Sequence, residues 1–197
     1  MPSEIRIYFE GDKGLKPGFH AFFKDLRECA RKRRCKLNLV ASGSGAAACR
    51  DFGIALSEHS SAWNILLRDS EGPFSDQLSR ALCKERKWKS SYSASIFWMV
   101  EMMESWFHAD KDSLAKFYGA DDFKRNALKP NLNVEEIPKR DLEAGLRGAT
   151  KNTQKGNYYD HKTEHGAALL AMIDPTLVRN AAPNCDRLFT AVLTQLE

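Results

Sequence analysis

The first seventy residues alternate short apolar runs with longer segments of helical periodicity, and this alternation constrains the fold more than any other feature. Apolar runs at residues 4–9, 35–40 and 63–67 predict strands, and residues 17–34 and 46–56 between them predict helices. The third run is apolar in succession rather than alternating, which is typical of a strand buried on both faces. The β-α-β-α-β order therefore predicts a parallel sheet with right-handed crossovers.

The rest of the chain is less regular and mainly helical. A short helix is predicted at residues 75–84 and a fourth strand at residues 94–100. Further helical segments are predicted at residues 101–109, 112–118, 139–150, 164–173, 175–180 and 183–196. At 197 residues the chain is long enough for one sizeable core and short for two. We therefore predict one α/β domain, with about four parallel strands in residues 1–100 and a mainly helical extension in residues 101–197 that packs on them.

The composition argues against several classes of protein. The longest apolar stretch, residues 96–103, is interrupted by Glu101 and is shorter than the about 20 residues that span a bilayer. The first residues lack the basic and apolar regions of a signal peptide. Five cysteines without a Cys-x-x-Cys pair argue against a disulfide framework and a cysteine zinc site. We therefore expect a cytoplasmic protein with no membrane partner, and the net charge of +4 permits a polyanionic partner without requiring one.

Acidic residues follow two of the predicted strands. Glu10 comes directly after the first strand, and Asp69 and Glu71 come after the third. Adjacent strands lie roughly 4.8 Å apart, so the carboxylates would crowd one small volume if the first and third strands are neighbours. Three carboxylates in one place repel each other unless a cation neutralises them, and Mg²⁺ (or Mn²⁺) suits such an all-oxygen site. Solvated turn residues are the alternative, which the spacing leaves open.

Two further pairs of residues are candidates for chemistry. Glu101 and Glu104 are three residues apart and would share a helix face among Met and aromatic side chains. A buried acid there would need a metal, an arginine or a hydrogen bond, whereas two acids facing solvent would need nothing. Lys162 and His165 follow a polar segment, residues 151–160, that is predicted to be mobile. Lys162 could hold a phosphate or stabilise charge, and His165 could transfer a proton or bind phosphate. Both could also be incidental basic residues.

Basic residues form two clusters in the sequence. The first closes the first predicted helix, and the second surrounds a tryptophan. Their candidate nucleic-acid-binding members are Arg31, Lys32, Arg33 and Arg34 in the first cluster and Lys87, Trp88 and Lys89 in the second. Basic and aromatic side chains together suit a phosphate backbone and stacked bases. A solvated basic surface explains each cluster equally well when it is considered alone.

Several stretches of the chain resemble a known family. Phe9-Glu10-Gly11 after the first strand and acids after the third resemble the acidic signature of Toprim-type domains. More specifically, the chain resembles the bacterial domain-of-unknown-function family 4276, a Toprim-like group related to OLD-type nucleases. The resemblance covers essentially the whole chain. Its matching stretches are RDSEGP (residues 68–73), MVEMMESWFHADKDSLAKFYG (99–119), NVEEIPKRDLEAGLRGAT (133–150) and YYDHKTEHGAALLAMIDPTLVR (158–179).

The resemblance implies a Toprim-like α/β core with a metal-dependent catalytic site. It implies Glu10, Asp69 and Glu71 as Mg²⁺ ligands. It also draws further residues into the predicted catalytic site, namely Glu104, Lys162 and His165. Glu71 stands where such domains usually have an aspartate, and Gly14 stands where they often have another.

Two functions are expected from this resemblance. The first is a metal-dependent nuclease, or a related phosphodiester-acting protein, that serves as an effector in bacterial defence against phage. The second is a catalytically inactive Toprim-like subunit that binds or regulates an ATPase complex, which the departures at Glu71 and Gly14 motivate. A nucleic-acid partner accompanies the first expectation, and an ATPase protein partner fits both.

Overall fold

A four-stranded parallel sheet is the centre of the computed structural model, which describes residues 2–130 and 132–197. Its strands lie in the order β2-β1-β3-β4 and are β1 (Glu4–Phe9), β2 (Lys36–Ala41), β3 (Trp63–Asp69) and β4 (Ile96–Met99). Every neighbouring pair is parallel. The predicted fold class, a parallel sheet of about four strands flanked by helices, is therefore confirmed.

The third strand is longer at its carboxyl end than the apolar run indicated. β3 continues through Arg68 to Asp69, because β4 pairs alongside it and Met99 lies opposite Asp69. β1 and β3 are direct neighbours, with Phe9 opposite Leu67. The acids that follow β1 and β3 can therefore come together, since this required the two strands to be neighbours. Asp69 is the last residue of β3 rather than part of a loop.

Four α-helices lie in the described part of the first half of the chain, and one prediction there was wrong. They are α1 (Lys16–Phe22), α2 (Lys24–Lys32), α3 (Gly45–Glu58) and α4 (Leu78–Glu85). The sequence predicts one helix at residues 17–34, whereas the structure breaks it at Phe23. The break allows the successive Phe22 and Phe23 rings to contact the same partner, Phe189, at centroid distances of 5.8 and 5.5 Å.

Six α-helices follow β4 in the residues that the structure describes. They are α5 (Ser105–Ala109), α6 (Lys111–Tyr118), α7 (Lys139–Thr150), α8 (Lys162–Met172), α9 (Pro175–Ala181) and α10 (Pro183–Gln195). Short 3-10 turns interrupt the connection between α6 and α7. None of the helices in the described part of the chain has the length and apolar character needed to cross a membrane.

The sheet is covered on both faces, since alternate strand residues point in opposite directions. One face packs with α1, α2 and the helices after β4, and the other packs with α3 and α4. Gly18 of α1 makes close contact with α8 possible, because an added Cβ would lie 2.5 Å from the carbonyl oxygen of Ala167. The Thr163 hydroxyl donates to the Asp12 carboxylate at 2.9 Å, which ties the start of α8 to the loop after β1. The fold thereby brings a C-terminal helix to the edge of the sheet where the acids lie.

Candidate metal centre

Three of the predicted acids converge at the carboxyl edge of the sheet. Glu10, Asp69 and Glu71 each offer one carboxylate oxygen, and these oxygens lie within 4.8 Å of one another. Glu10 follows β1, and its backbone N–H donates to the Leu67 carbonyl of β3 at 2.9 Å. The adjacency of β1 and β3 therefore produces the grouping that the strand-end acids predicted.

Two glycines shape the turn that carries Glu10. Gly11 and Gly43 exchange backbone hydrogen bonds of 2.7 and 2.8 Å, and both have positive φ angles, of 141° and 81°. A Cβ on Gly11 would lie 2.7 Å from the Leu15 side chain, so a larger residue there would displace the turn. This bridge holds the loop after β1 against the loop that leads into α3.

Glu10 is held in position by three groups around one carboxylate oxygen. Its Oε2 accepts a hydrogen bond from the Asp69 backbone N–H at 3.2 Å and lies 3.9 Å from the Arg68 guanidinium. Gly45, the first residue of α3, leaves room for this oxygen, because a Cβ there would lie 2.7 Å from it. Arg68 was missed as a site residue, although an arginine at the end of an apolar strand, next to an aspartate, was a visible signal.

Asp69 lies between the other acids. Its Oδ1 accepts a hydrogen bond from the Met103 backbone N–H at 2.8 Å. Burial of the carboxyl group, followed by the nearby charges of Glu104 and Glu10, raises the pKa of Asp69 well above its usual range. Crowded carboxylates therefore favour a proton on Asp69 in the absence of a cation, and a divalent cation would favour the ionised form.

Glu71 contacts a lysine that the sequence did not single out. Lys139, the first residue of α7, forms an ion pair with the Glu71 carboxylate, whose side chain is 50% exposed. A hydrogen bond to Glu71 is the main cause of the raised pKa of Lys139. Glu71 also has a positive φ of 60°. The glutamate side chain, which is longer than that of an aspartate, reaches the acidic cluster from this left-handed turn. Lys139 lies beside it.

Glu104 is the most buried acid of the site. It is 0% exposed, and its Oε1 accepts a hydrogen bond from the Tyr158 hydroxyl at 2.8 Å and lies 2.9 Å from Lys162 Nζ. Its Oε2 is buried without a hydrogen-bond partner among the residues described. Burial is the largest influence and lowers the pKa of Lys162, but the charge of Glu104, its hydrogen bond and the charge of Asp69 together outweigh burial, so the net shift is upward. The structure thus brings Glu104 and Lys162 together, 58 positions apart in sequence.

Glu101 and Glu104 do not share a helix face, so that prediction was wrong. α5 begins only at Ser105, because the chain turns at Glu101, which has a φ of 61°. The turn is held by the Ser70 hydroxyl, which accepts from the Glu101 N–H at 2.7 Å. Glu101 is 6% exposed, and its carboxylate accepts from the Lys139 N–H at 3.1 Å, at the start of α7. Its partner is therefore a helix N-terminus.

A cavity of about 240 Å³ opens beside the acids. The residues around it are Glu10, Gly11, Asp12, Leu15, Gly43, Asp69, Met103, Glu104, Lys162 and Thr163. Five of the residues predicted for catalysis thus lie at or beside one cavity, because Glu71 joins Glu10 and Asp69 in the acidic cluster. Several carboxylate oxygens and one lysine at the same cavity can hold a hard cation next to an anionic group.

His165 lies away from the cavity lining, one turn further along α8. Its ring is 5% exposed, contacts the Tyr118 hydroxyl through Nδ1 at 3.0 Å and packs edge-on against Phe117. Burial, followed by the nearby His161, lowers the pKa of His165. His165, which was predicted as a catalytic residue, is therefore buried behind the cavity rather than part of its lining.

Comparison with known protein families gave one match. The family described as Domain of unknown function (DUF4276) matches residues 13–193. The chain belongs to this family. Searches of curated proteins and of solved structures found no match. Within this DUF4276 chain the matched range contains Asp69, Glu71, Glu104 and Lys162, whereas Glu10 lies just before it.

The two basic clusters of this DUF4276 member lie outside the cavity lining. The cluster at residues 31–34 ends α2 and precedes β2, whose first residue pairs with Glu4 at the amino end of β1. It is therefore at the edge of the sheet opposite the acids. The cluster at residues 87–89 follows α4 on the other face, and its Trp88 ring packs against Phe52 of α3 at 5.1 Å. The structure does not bring either cluster to the acidic site.

Proposed function

We propose that this protein is a divalent-cation-dependent, Toprim-like enzyme that hydrolyses phosphodiester bonds in nucleic acid. The observation that carries the proposal is the convergence of four carboxylates, from Glu10, Asp69, Glu71 and Glu104, around one edge of the sheet. One of them, Glu104, keeps a buried oxygen with no partner in the described part of the chain. A buried carboxylate oxygen without a donor is costly unless a cation occupies its surroundings.

The donor set fits Mg²⁺ or Mn²⁺. Glu10, Asp69 and Glu71 would hold the cation. Glu104 lies close enough to Asp69 for its charge to raise the pKa of that carboxyl group, so it would be next to the bound cation. Such hard cations prefer oxygen ligands and leave positions for water and a substrate phosphate. When bound, the cation would polarise the phosphate and lower the pKa of an attacking water.

The protein's own side chains would position the substrate. Lys162 places an ammonium group at the cavity wall beside Glu104, where it can neutralise the charge that develops on a phosphate. Leu15 and Met103 line the cavity with apolar surface and restrict the access of water. Met103 also donates its backbone N–H to Asp69, which links the cavity wall to this acid.

The size of the cavity bears on the form of the substrate. At about 240 Å³ it is smaller than the ~300–1,000 Å³ of most small-molecule pockets. One phosphate group with part of its nucleoside can enter, whereas a duplex cannot. We therefore expect a single-stranded segment or a frayed end as substrate. The basic clusters at residues 31–34 and 87–89 would contact only distant parts of a long nucleic acid.

Cleavage of a labelled single-stranded oligonucleotide in the presence of Mg²⁺ or Mn²⁺ tests the proposal. We expect activity that EDTA abolishes. Asp69→Ala should reduce the activity by more than ~100-fold, because loss of a residue that only hydrogen-bonds a metal ligand typically costs ~10–100-fold. Asp121→Asn, which removes an exposed acid outside the cavity lining, is the matched control and should cleave normally. Undiminished cleavage by Asp69→Ala would overturn the assignment.

A catalytically inactive binding or regulatory subunit is the second candidate. The ion pair between Glu71 and Lys139 favours it, because a lysine beside the third acid competes with a cation for that carboxylate. Titration of the protein with Mn²⁺ discriminates between the two candidates, since an inactive subunit should show no affinity that depends on Glu10 and Asp69. In either role we propose a place in bacterial defence against phage beside an ATPase, which co-purification with an ATPase encoded nearby would test.

A further inference from the structure

Tyr158 lies behind the acidic site, at the end of the polar segment that was predicted to be mobile. Its side chain is 0% exposed, and its hydroxyl donates to Glu104 Oε1 at 2.8 Å. Lys162 Nζ lies 2.9 Å from the same oxygen. Both donors therefore engage one oxygen of the carboxylate, and Oε2 has no partner within residues 2–130 and 132–197.

The surroundings of Tyr158 are built to hold its hydroxyl in place. The backbone N–H of Tyr158 donates to the Thr150 hydroxyl at 2.9 Å, and the ring packs edge-on against Phe107. Gly166 of α8 leaves the space that the hydroxyl needs, because a Cβ there would lie 3.3 Å from the Tyr158 oxygen. Three elements (α5, α7 and α8) thus determine where this hydroxyl lies.

We propose that Tyr158 is a positioning residue, which orients Glu104 so that its free oxygen faces a divalent cation bound beside Asp69. This inference rests on the proposed function and adds a residue to it. A carboxylate can rotate about its last bond. Lys162 alone does not fix the orientation of the Glu104 carboxylate, because the lysine side chain is flexible and 49% exposed. The rigid, buried phenol supplies the directional hydrogen bond that selects one rotamer.

The protonation of Tyr158 agrees with this role. Burial, followed by the charge of Glu104, raises the pKa of the hydroxyl well above its ordinary value. The hydroxyl therefore remains a donor at neutral pH and does not compete with Glu104 as a ligand. Hydrogen bonds of this kind, from residues behind the ligands, typically change metal affinity by ~10–100-fold.

Binding of Mn²⁺ alone to the full-length protein, followed by electron paramagnetic resonance, tests the inference. We expect Tyr158→Phe, which keeps the ring and removes the hydroxyl, to weaken Mn²⁺ binding about tenfold. Tyr159→Phe is the matched control, because the Tyr159 hydroxyl is also buried and has no partner among the described residues. It should bind Mn²⁺ as the wild-type protein does.

Further variants separate positioning from a structural role. In a Glu104→Gln background the added effect of Tyr158→Phe on Mn²⁺ affinity should disappear, whereas a merely structural loss would persist. If Tyr158→Phe does not fold, Gly166→Ala crowds the Tyr158 oxygen at 3.3 Å, but it also crowds the Leu15 side chain at 3.1 Å. Gly166→Ala is therefore compared in a Leu15→Ala background with Leu15→Ala alone, and it should weaken Mn²⁺ binding there.

The outcomes also separate this inference from the proposed function. If Asp69→Ala binds Mn²⁺ as tightly as the wild type, the metal site itself is wrong. If Asp69→Ala abolishes binding but Tyr158→Phe, or Gly166→Ala in its place, binds normally, the metal site stands and the positioning role is overturned. Equal weakening by Tyr158→Phe and Tyr159→Phe would also overturn it.

Discussion

Glu71 and Glu104 are two acids of one site, and each contacts the first residue of a helix. Glu71 pairs with Lys139 at the start of α7, and Glu104 pairs with Lys162 at the start of α8. The Glu71 side chain is half exposed, whereas Glu104 is completely buried and receives a second donor. The carboxylate therefore meets water in one pair and a protein interior in the other, whereas both lysines are partly exposed. Because burial raises the cost of an unpaired charge, we expect only the second pair to matter for stability.

The largest effect is expected when the buried pair is broken. Lys162→Met keeps the aliphatic stem but leaves the Glu104 carboxylate with only the Tyr158 hydroxyl. The uncompensated buried charge should lower the free energy of unfolding by about 3 kcal/mol at neutral pH in metal-free protein. Urea denaturation with EDTA present measures this change. A loss no larger than that of the exposed pair would contradict the role given to burial.

An intermediate effect is expected from His108, which shows what burial does to an ionisable group that has no charged partner. His108 lies one turn after Glu104, is buried, and neither ring nitrogen has a hydrogen-bond partner in the described chain. Burial, followed by the charge of Lys111, lowers the pKa of His108 from 6.5 to about 4. The folded state thus binds fewer protons than the unfolded state between these values.

The contribution of neutral His108 to stability is therefore complete above pH 6.5 and is lost as the pH falls towards 4. We expect a loss of about 2 kcal/mol between pH 7.5 and pH 5. His108→Gln, which does not titrate in this range, should remove this part of the pH dependence when unfolding is measured at both pH values. An unchanged pH slope in the variant would show that other groups cause it.

The smallest effect is expected when the exposed pair is broken. Lys139→Met removes the partner of Glu71 at a site open to water, so the free energy of unfolding should change by less than about 0.5 kcal/mol. The same urea titration, run beside Lys162→Met, makes the comparison direct. Because a competing cation is removed from Glu71, Mn²⁺ should bind Lys139→Met at least as tightly as the wild type. Weaker binding would indicate that Lys139 supports the site rather than competing in it.

The predictable part of the site is the part that neighbouring strands build. Glu10 and Asp69 lie at one edge because parallel strands end at the same edge, which follows from the β-α-β order, and they come together because β1 and β3 are neighbours. Glu104 was identified from its sequence, but its supposed helix face does not exist, since the chain turns left-handed at Glu101. Hydrophobic periodicity carries no signal for a turn held by a distant residue such as Ser70.

The contacts that complete the site could not be read from local patterns. Lys139 and Glu71 are 68 positions apart, and Tyr158 and Glu104 are 54 apart. Tyr158 lies in a stretch whose polar composition predicted mobility, and yet its side chain is fully buried. Tertiary packing overrides local composition there, because α5, α7 and α8 enclose the ring.

The sequence by itself determined the parallel α/β sheet, the positions of acids after β1 and β3, and membership of a family, whereas the structure decided that β1 and β3 are neighbours. Those features depend on side-chain periodicity and strand ends, which are local properties. Only the tertiary structure decided which acid is buried, which lysine each acid contacts and on which edge the basic clusters lie. The physical reason is that burial and long-range pairing depend on how α7 and α8 pack against the rest of the fold. No short stretch of sequence encodes contacts between residues so far apart in the chain.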